Sequence, residues 1–329
     1  MNIIDIHTHG IGGYDTRKAT EEAILKMAEI HGSSGVSAIL PTIYPDTIQV
    51  MRENMMVVKR AMEVQHEIQR DKAVLALSEA KNVPPIDRRG FPTPSKGFSN
   101  ASKSATILGV HLEGPFLNPA RCGALNAAIF IEPTEHHLDE LLDGLEDVVR
   151  IITIAPELDG ATRVIRKISD RGIIASMGHS DATYSEAETG FHAGARGITH
   201  IFNAMRGLHH REPGIVGFGL LNQDIFIEVI ADPFHLNPKT LELIFRVKNR
   251  DRIILVSDSV KGTPPSFPPF TKGGKGGLEG KTQGVVDDSG RLQGGSMTIA
   301  ESSQRLIGLG FEEDAIRKSI SENPEIYLV

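Results

Sequence analysis

One cysteine, Cys122, and no tryptophan occur among the 329 residues. A lone thiol closes no internal disulfide, so no covalent framework holds the chain and a reducing compartment is the expected setting. Nowhere does the sequence hold the roughly 18 consecutive apolar residues that a membrane-spanning helix requires. The opening MNIIDIHTHG lacks the basic-then-apolar layout of an export signal, and a cytoplasmic, membrane-free protein is expected. A basic excess is missing as well: 35 Lys and Arg face 42 Asp and Glu, a formal net charge of −7. That balance speaks against a nucleic-acid-coating protein and requires any anionic ligand to be met by a local basic cluster.

What is present is rhythm. Short runs rich in Ile and Val alternate with longer amphipathic segments, the pattern of parallel strands joined by crossover helices. Strands are expected at 2–6, 36–41, 106–113, 148–155, 173–179, 197–200, 225–231 and 253–258. Helices are expected at 19–30, 47–68, 135–142, 161–170, 184–192 and 238–248. Eight strands with interleaved helices favour a closed (β/α)8 barrel of TIM type over an open sheet, with residues 1–329 as one catalytic domain. Two segments break the rhythm and read as mobile insertions: 71–104, with clustered Pro, Ser, Lys and Asn, and 262–284, Pro-rich and then Gly-rich. The second contains GGLEGKT, close to a phosphate-cradling loop. However, the glycine needed five positions before the last one is Lys275, and no apolar strand leads into it, so it reads as a solvated loop.

The residues that carry chemistry fall at strand ends. In IDIHTHG, strand alternation points Asp5, His7 and His9 the same way, so two imidazoles can face one metal. Glu113 closes the third strand, His179 the fifth, His200 the sixth and Asp258 the eighth. Each has a bland explanation alone. Together, His7, His9, Glu113, His179, His200 and Asp258 would ring one mouth, at the face where barrel active sites form. Imidazole and carboxylate donors suit Zn²⁺, Fe²⁺ or Mn²⁺, and six exceed one tetrahedral ion, which favours two neighbouring divalent ions over one. Just after the sixth strand, Arg206, His209, His210 and Arg211 form a basic cluster suited to a phosphate.

In order along residues 4–258, the pieces IDIHTHGIGG, HLEGPFLNP, GHSDATY, THIFNAM, LHHREPGIVG, IADPFH and LVSD resemble the amidohydrolase superfamily, and more narrowly its N-acetylglucosamine-6-phosphate deacetylase family. The resemblance implies a metal-dependent hydrolase that removes acetate from an amino-sugar phosphate and works as a homodimer in which an arginine crosses the interface. Carried over by position, Glu113, His179 and His200 match the principal metal ligands, and His7 and His9 those of two-metal members. Asp258 matches the catalytic acid/base. Arg211 matches the phosphate-binding arginine, while Asn203, Ala204 and His235 match substrate contacts.

The chain also departs from that family. Where its members usually read Gly-Ala-His-Asn, with a substrate-reaching histidine, this chain has Gly123, Ala124, Leu125 and Asn126, and leucine donates no hydrogen bond. Pro233 stands in place of a glycine before Phe234, which stiffens that loop. The small β-sandwich implied beside the barrel is expected to be largely missing. Two other functions therefore accompany the deacetylase: an amidohydrolase of another N-acyl sugar or cyclic amide, and a phosphosugar-binding homologue without turnover.

Overall fold

The structure, a computed structural model, describes residues 2–80, 104–265 and 284–329. Eight parallel strands follow one another around a nearly closed barrel: β1 (Ile4–Thr8), β2 (Ala38–Ile43), β3 (Val110–Glu113), β4 (Val149–Ile154), β5 (Ile174–Met177), β6 (Gly197–Ile198), β7 (Phe226–Ile230) and β8 (Ile253–Val256). Thr106–Ile107 adds a short pairing to β2. The last strand is brought back to the first by a parallel bridge between Thr8 and Ser259, and the Asp258 N–H donates to the His7 carbonyl at 2.9 Å. The expected (β/α)8 architecture is what forms.

The helices follow their local signals. Helices α3 (Glu135–Leu142), α4 (Ala161–Asp170) and α5 (Tyr184–His192) occupy the expected spans, and α7 (Pro238–Val247) ends one residue short. Thr134 caps α3, and a reciprocal capping box of Thr183 with Glu186 starts α5, satisfying backbone N–H groups that a helix start leaves unpaired. Helix α1 spans Glu21–Ser33. Helix α2 (Ile48–Ala80) continues ten residues into the segment read as an insertion, because DKAVLALSEA is rich in good helix formers. Most of both expected insertions, residues 81–103 and 266–283 with the GGLEGKT motif, lies outside the described residues. Thr263, inside the second, is fixed: its hydroxyl donates to the Gly295 carbonyl at 2.6 Å and accepts from the Val260 N–H at 2.8 Å.

Four helices were not expected: α6 (Gly214–Leu221), α8 (Ile299–Gly308), α9 (Glu313–Ile320) and α10 (Glu322–Tyr327). The sequence of α6, GIVGFGLL, has poor helix propensity, and its glycines serve close packing instead. A Cβ at Gly219 would lie 2.6 Å from Cδ1 of Ile198 on β6. Among the described residues no helix is long and apolar enough to cross a membrane.

The barrel interior is graded. Its floor is apolar, with Ile4, Leu40, Ile151, Ile174, Phe226 and Ile254 closed by Tyr327 from α10. Tyr327 packs 4.9 Å from Phe226, ring to ring, and a Cβ at Gly197 would sit 1.9 Å from its hydroxyl. Phe226 and Gly197 begin their strands, so the plug fills the end opposite the expected mouth. Above it the filling turns polar. The His111 Nδ1–H donates to the Ile6 carbonyl at 3.1 Å, leaving Nε2 to accept from Thr153 at 2.8 Å; Thr153, Thr199 and Ser176 continue the chain at 2.9 and 2.7 Å. Burial pushes the His111 imidazole down to about 3, consistent with this neutral, directional network. Replacing Tyr327 with Ala should cost about 3–5 kcal/mol of stability, the range for truncating a buried aromatic. Urea unfolding reads this, and an unchanged midpoint contradicts the plug.

Candidate metal centre

The six expected donors reach one mouth by three local routes. On β1 the pairing with β2 slips between Asp5 and Thr8, and such an irregularity breaks the two-residue alternation. His7 and His9 face the mouth, but Asp5 does not share their side: its Oδ1 accepts from the N–H groups of His7 at 3.2 Å and Ser257 at 3.3 Å. The expected common face of Asp5, His7 and His9 is corrected accordingly. Glu113 is the final residue of β3. His179, His200 and Asp258 each lie two residues beyond the end of β5, β6 and β8, with φ of 46°, 30° and 46°. Left-handed backbone costs a non-glycine residue roughly 1–2 kcal/mol. Three such residues at one rim locate stored strain at the site.

Glu113 is the hub. Its Oε1 is 3.0 Å from Nε2 of both His179 and His200 and 3.7 Å from that of His7; its Oε2 is 3.2 Å from His9 Nε2. Asp258 Oδ1 is 3.5 Å from His7 Nε2 and 3.6 Å from His9 Nε2. The opposite ring nitrogens show where the protons reside. His9 Nδ1 is 3.0 Å from the Thr42 carbonyl and His179 Nδ1 is 2.9 Å from the Arg121 carbonyl. A carbonyl only accepts, so both Nδ1 atoms carry hydrogen. His7 Nδ1 makes the same kind of contact with Glu228 Oε2 at 3.0 Å. In the neutral rings the Nε2 atoms of His7, His9 and His179 then offer lone pairs to the mouth.

Those lone pairs face each other and a carboxylate. His7 Nε2 and His9 Nε2 are only 3.3 Å apart, acceptor against acceptor. Protonating His7 is opposed by burial, which pushes it well below the usual imidazole range. Burial also favours a neutral Glu113, but any proton on the facing rings would hold that carboxyl well below its ordinary range. Burial, with Glu113 and Glu228 nearby, pushes Asp258 well above it. A cation among these atoms removes the conflict. His7 with His9 and Asp258, and His7 with Glu113 and His200, are each close enough to hold one, and the nitrogen and oxygen donors fit a borderline divalent metal.

Above the donors opens a cavity of about 450 Å³, lined in part by Asn203, Ala204, His235 and Leu125. His235 is oriented by Asp232, 3.0 Å from its Nδ1. The Asp232 carboxylate also accepts from the N–H groups of Phe234 and His235 at 2.9 Å, passing over Pro233, which has no N–H to satisfy. The basic cluster is not gathered here. Arg206 is spent on Asp181 at 2.7 Å, and Arg211 is exposed and does not line the cavity.

Five cavity or supporting residues were missed. Tyr44 stacks on His9 with ring centroids 3.8 Å apart, and the Arg17 guanidinium lies 4.2 Å above Tyr44. Arg291 and Gln293 come from a hairpin of Val285–Val286 and Leu292–Gly294, whose DDSG turn between short strands was a usable signal. Glu228, a lone charge within the apolar strand FIEVI, could have been singled out as a buried orienting group. Glu228→Gln should weaken divalent-metal affinity about 10- to 100-fold by loosening His7. Metal titration of the stripped protein tests this, and wild-type affinity in the variant contradicts it.

No protein-family model matches the chain. It is 30% identical over 304 residues to the N-acetylglucosamine-6-phosphate deacetylase of Vibrio furnissii, covering 92% of this chain and 67% of that one. It is 28% identical over 308 residues to the N-acetylgalactosamine-6-phosphate deacetylase of Escherichia coli O157:H7, covering 93% and 71%. Among solved structures, the N-acetylglucosamine-6-phosphate deacetylase of Pasteurella multocida shares the fold, with a TM-score of 0.77 at 23% identity over 99% of this chain and 76% of that one. The Thermotoga maritima enzyme of the same name gives 0.72 at 26% identity, over 99% and 78%. With the ordered motifs and the barrel rim they build, these likenesses place the chain in the N-acetylglucosamine-6-phosphate deacetylase family.

Proposed function

We propose that this chain, as one catalytic domain, hydrolyses the acetamide of N-acetylglucosamine 6-phosphate to glucosamine 6-phosphate and acetate in amino-sugar catabolism. The observation that carries it is the convergence of four imidazole Nε2 atoms and the Glu113 carboxylate at the mouth of a substrate-sized cavity. Glu113, His179 and His200, with His7, His9 and Asp258, would hold one or two divalent ions, Zn²⁺, Fe²⁺ or Mn²⁺. Bound there, such an ion would supply Lewis-acid polarisation of the amide carbonyl and a lower pKa for the attacking water.

The protein's own groups do the rest. Asp258, whose carboxyl is pushed up by burial and by neighbouring carboxylates, takes a proton from the attacking water and returns it to the departing amine. Asn203, Ala204 and His235 line the space where the sugar rests. Arg211, exposed on its loop, reaches the phosphate in the cavity of a second copy within a homodimer, in the cytoplasm. Leu125 in the cavity wall supports a second reading, a different N-acyl amino-sugar phosphate, because the wall offers no hydrogen bond at that point.

Acetate release from N-acetylglucosamine 6-phosphate and N-acetylgalactosamine 6-phosphate, with metal analysis of the same sample, tests both. Tight phosphosugar binding with metal present and no acetate ends the enzyme proposal. Asp258→Asn should lower kcat by about 10²- to 10⁴-fold, because an amide carries no proton between water and amine. Stopped assays at saturating substrate check this, and an undiminished rate refutes the role.

A further inference from the structure

A phosphosugar brings a dianion into a cavity already lined by Glu113 and Asp258, in a chain of net negative charge. Of the described residues that line this cavity, Arg291 is the one Lys or Arg. The other nearby guanidinium groups are engaged or outside it. Arg121 and Arg206 both pair with Asp181, Arg17 covers the Tyr44 ring, and Arg211 is not in the lining.

Arg291 is also aimed. Its Nη1 donates to the Gly123 carbonyl at 3.2 Å, two residues before Leu125, and its Nε lies 3.4 Å from Asp287 Oδ2. Nη2 makes no hydrogen bond among the described residues. Gly123 in turn packs on the turn that holds Asn203 and Ala204: a Cβ there would be 3.1 Å from the Ala204 Cβ and 3.5 Å from His179 Cε1. The guanidinium is thus fastened to the wall between metal donors and substrate turn. Its side chain remains 57% exposed, free to exchange water for an anion.

We propose that Arg291 is the chain's own phosphate anchor, donating charge-assisted hydrogen bonds from its open guanidinium edge to phosphate oxygens of the sugar phosphate in the same cavity. It binds and positions and takes no part in proton transfer. This rests on the phosphosugar assignment above, and it adds a second cationic contact to any that Arg211 makes from another copy.

Calorimetry with glucosamine 6-phosphate and with glucosamine reads the contact without turnover. Arg291→Ala should weaken glucosamine 6-phosphate binding about 10- to 100-fold, the worth of a hydrogen bond to a charged group, and leave glucosamine binding unchanged. Arg291→Lys should recover part of the loss. In acetate-release assays the KM for N-acetylglucosamine 6-phosphate should rise with kcat nearly constant. Unchanged affinity in Arg291→Ala, equal loss for both sugars, or no wild-type preference for the phosphorylated sugar overturns the anchor. Wild-type protein that binds glucosamine 6-phosphate through Arg291 yet releases no acetate would sink the hydrolytic function and leave the anchor standing. Wild-type turnover with an unaltered Arg291→Ala would do the reverse.

Discussion

The site depends on one electrostatic conflict: neutral imidazoles forced to turn lone pairs toward a buried carboxylate. Carbonyl oxygens of Thr42 and Arg121 and the Glu228 carboxylate claim the Nδ1 hydrogens of His9, His179 and His7. The Nε2 atoms are left as acceptors about Glu113, another acceptor. Burial denies water and opposes protonation of His7, so the arrangement is stable when a cation supplies the missing charge.

The fold is organised to impose that conflict. An apolar floor plugged by Tyr327 gives way to the His111, Thr153, Thr199 and Ser176 network, whose directions are set by the Ile6 carbonyl. This polar layer fixes the strand ends from beneath. Beyond it, His179, His200 and Asp258 accept left-handed backbone in order to turn inward, at a combined cost of a few kcal/mol. Closure of β8 onto β1 through Ser259 brings Asp258 beside His7 and His9. Remove any of these and the donors still exist, but they no longer share a centre.

How much of this was legible in the sequence follows from the range of each interaction. Donors at strand ends could be read because strand termination is local, and Glu113, His179, His200 and Asp258 lie where Gly, Pro or turn residues break apolar runs. Asp5 misled because the alternation rule assumes regular pairing, and the slip opposite β2 is a tertiary property. Helix α6 was hidden because its glycines answer to Ile198, far along the chain, rather than to propensity. Arg206 looked available until its partner Asp181 came into view, while Arg291 looked like an ordinary turn residue until the hairpin laid it against Gly123. Helices α3, α4 and α5, governed by caps and periodicity within their own spans, were legible throughout.

The central claim is that the mouth requires a cation, and titrating chelator-stripped protein with Zn²⁺ while following both bound metal and thermal unfolding tests it most directly. Uptake of one or two equivalents with a rise in Tm that saturates at the same point is the predicted result, because a ligand confined to the native state stabilises it. Protein that takes up no stoichiometric metal and melts at the same temperature with or without Zn²⁺ would contradict the account.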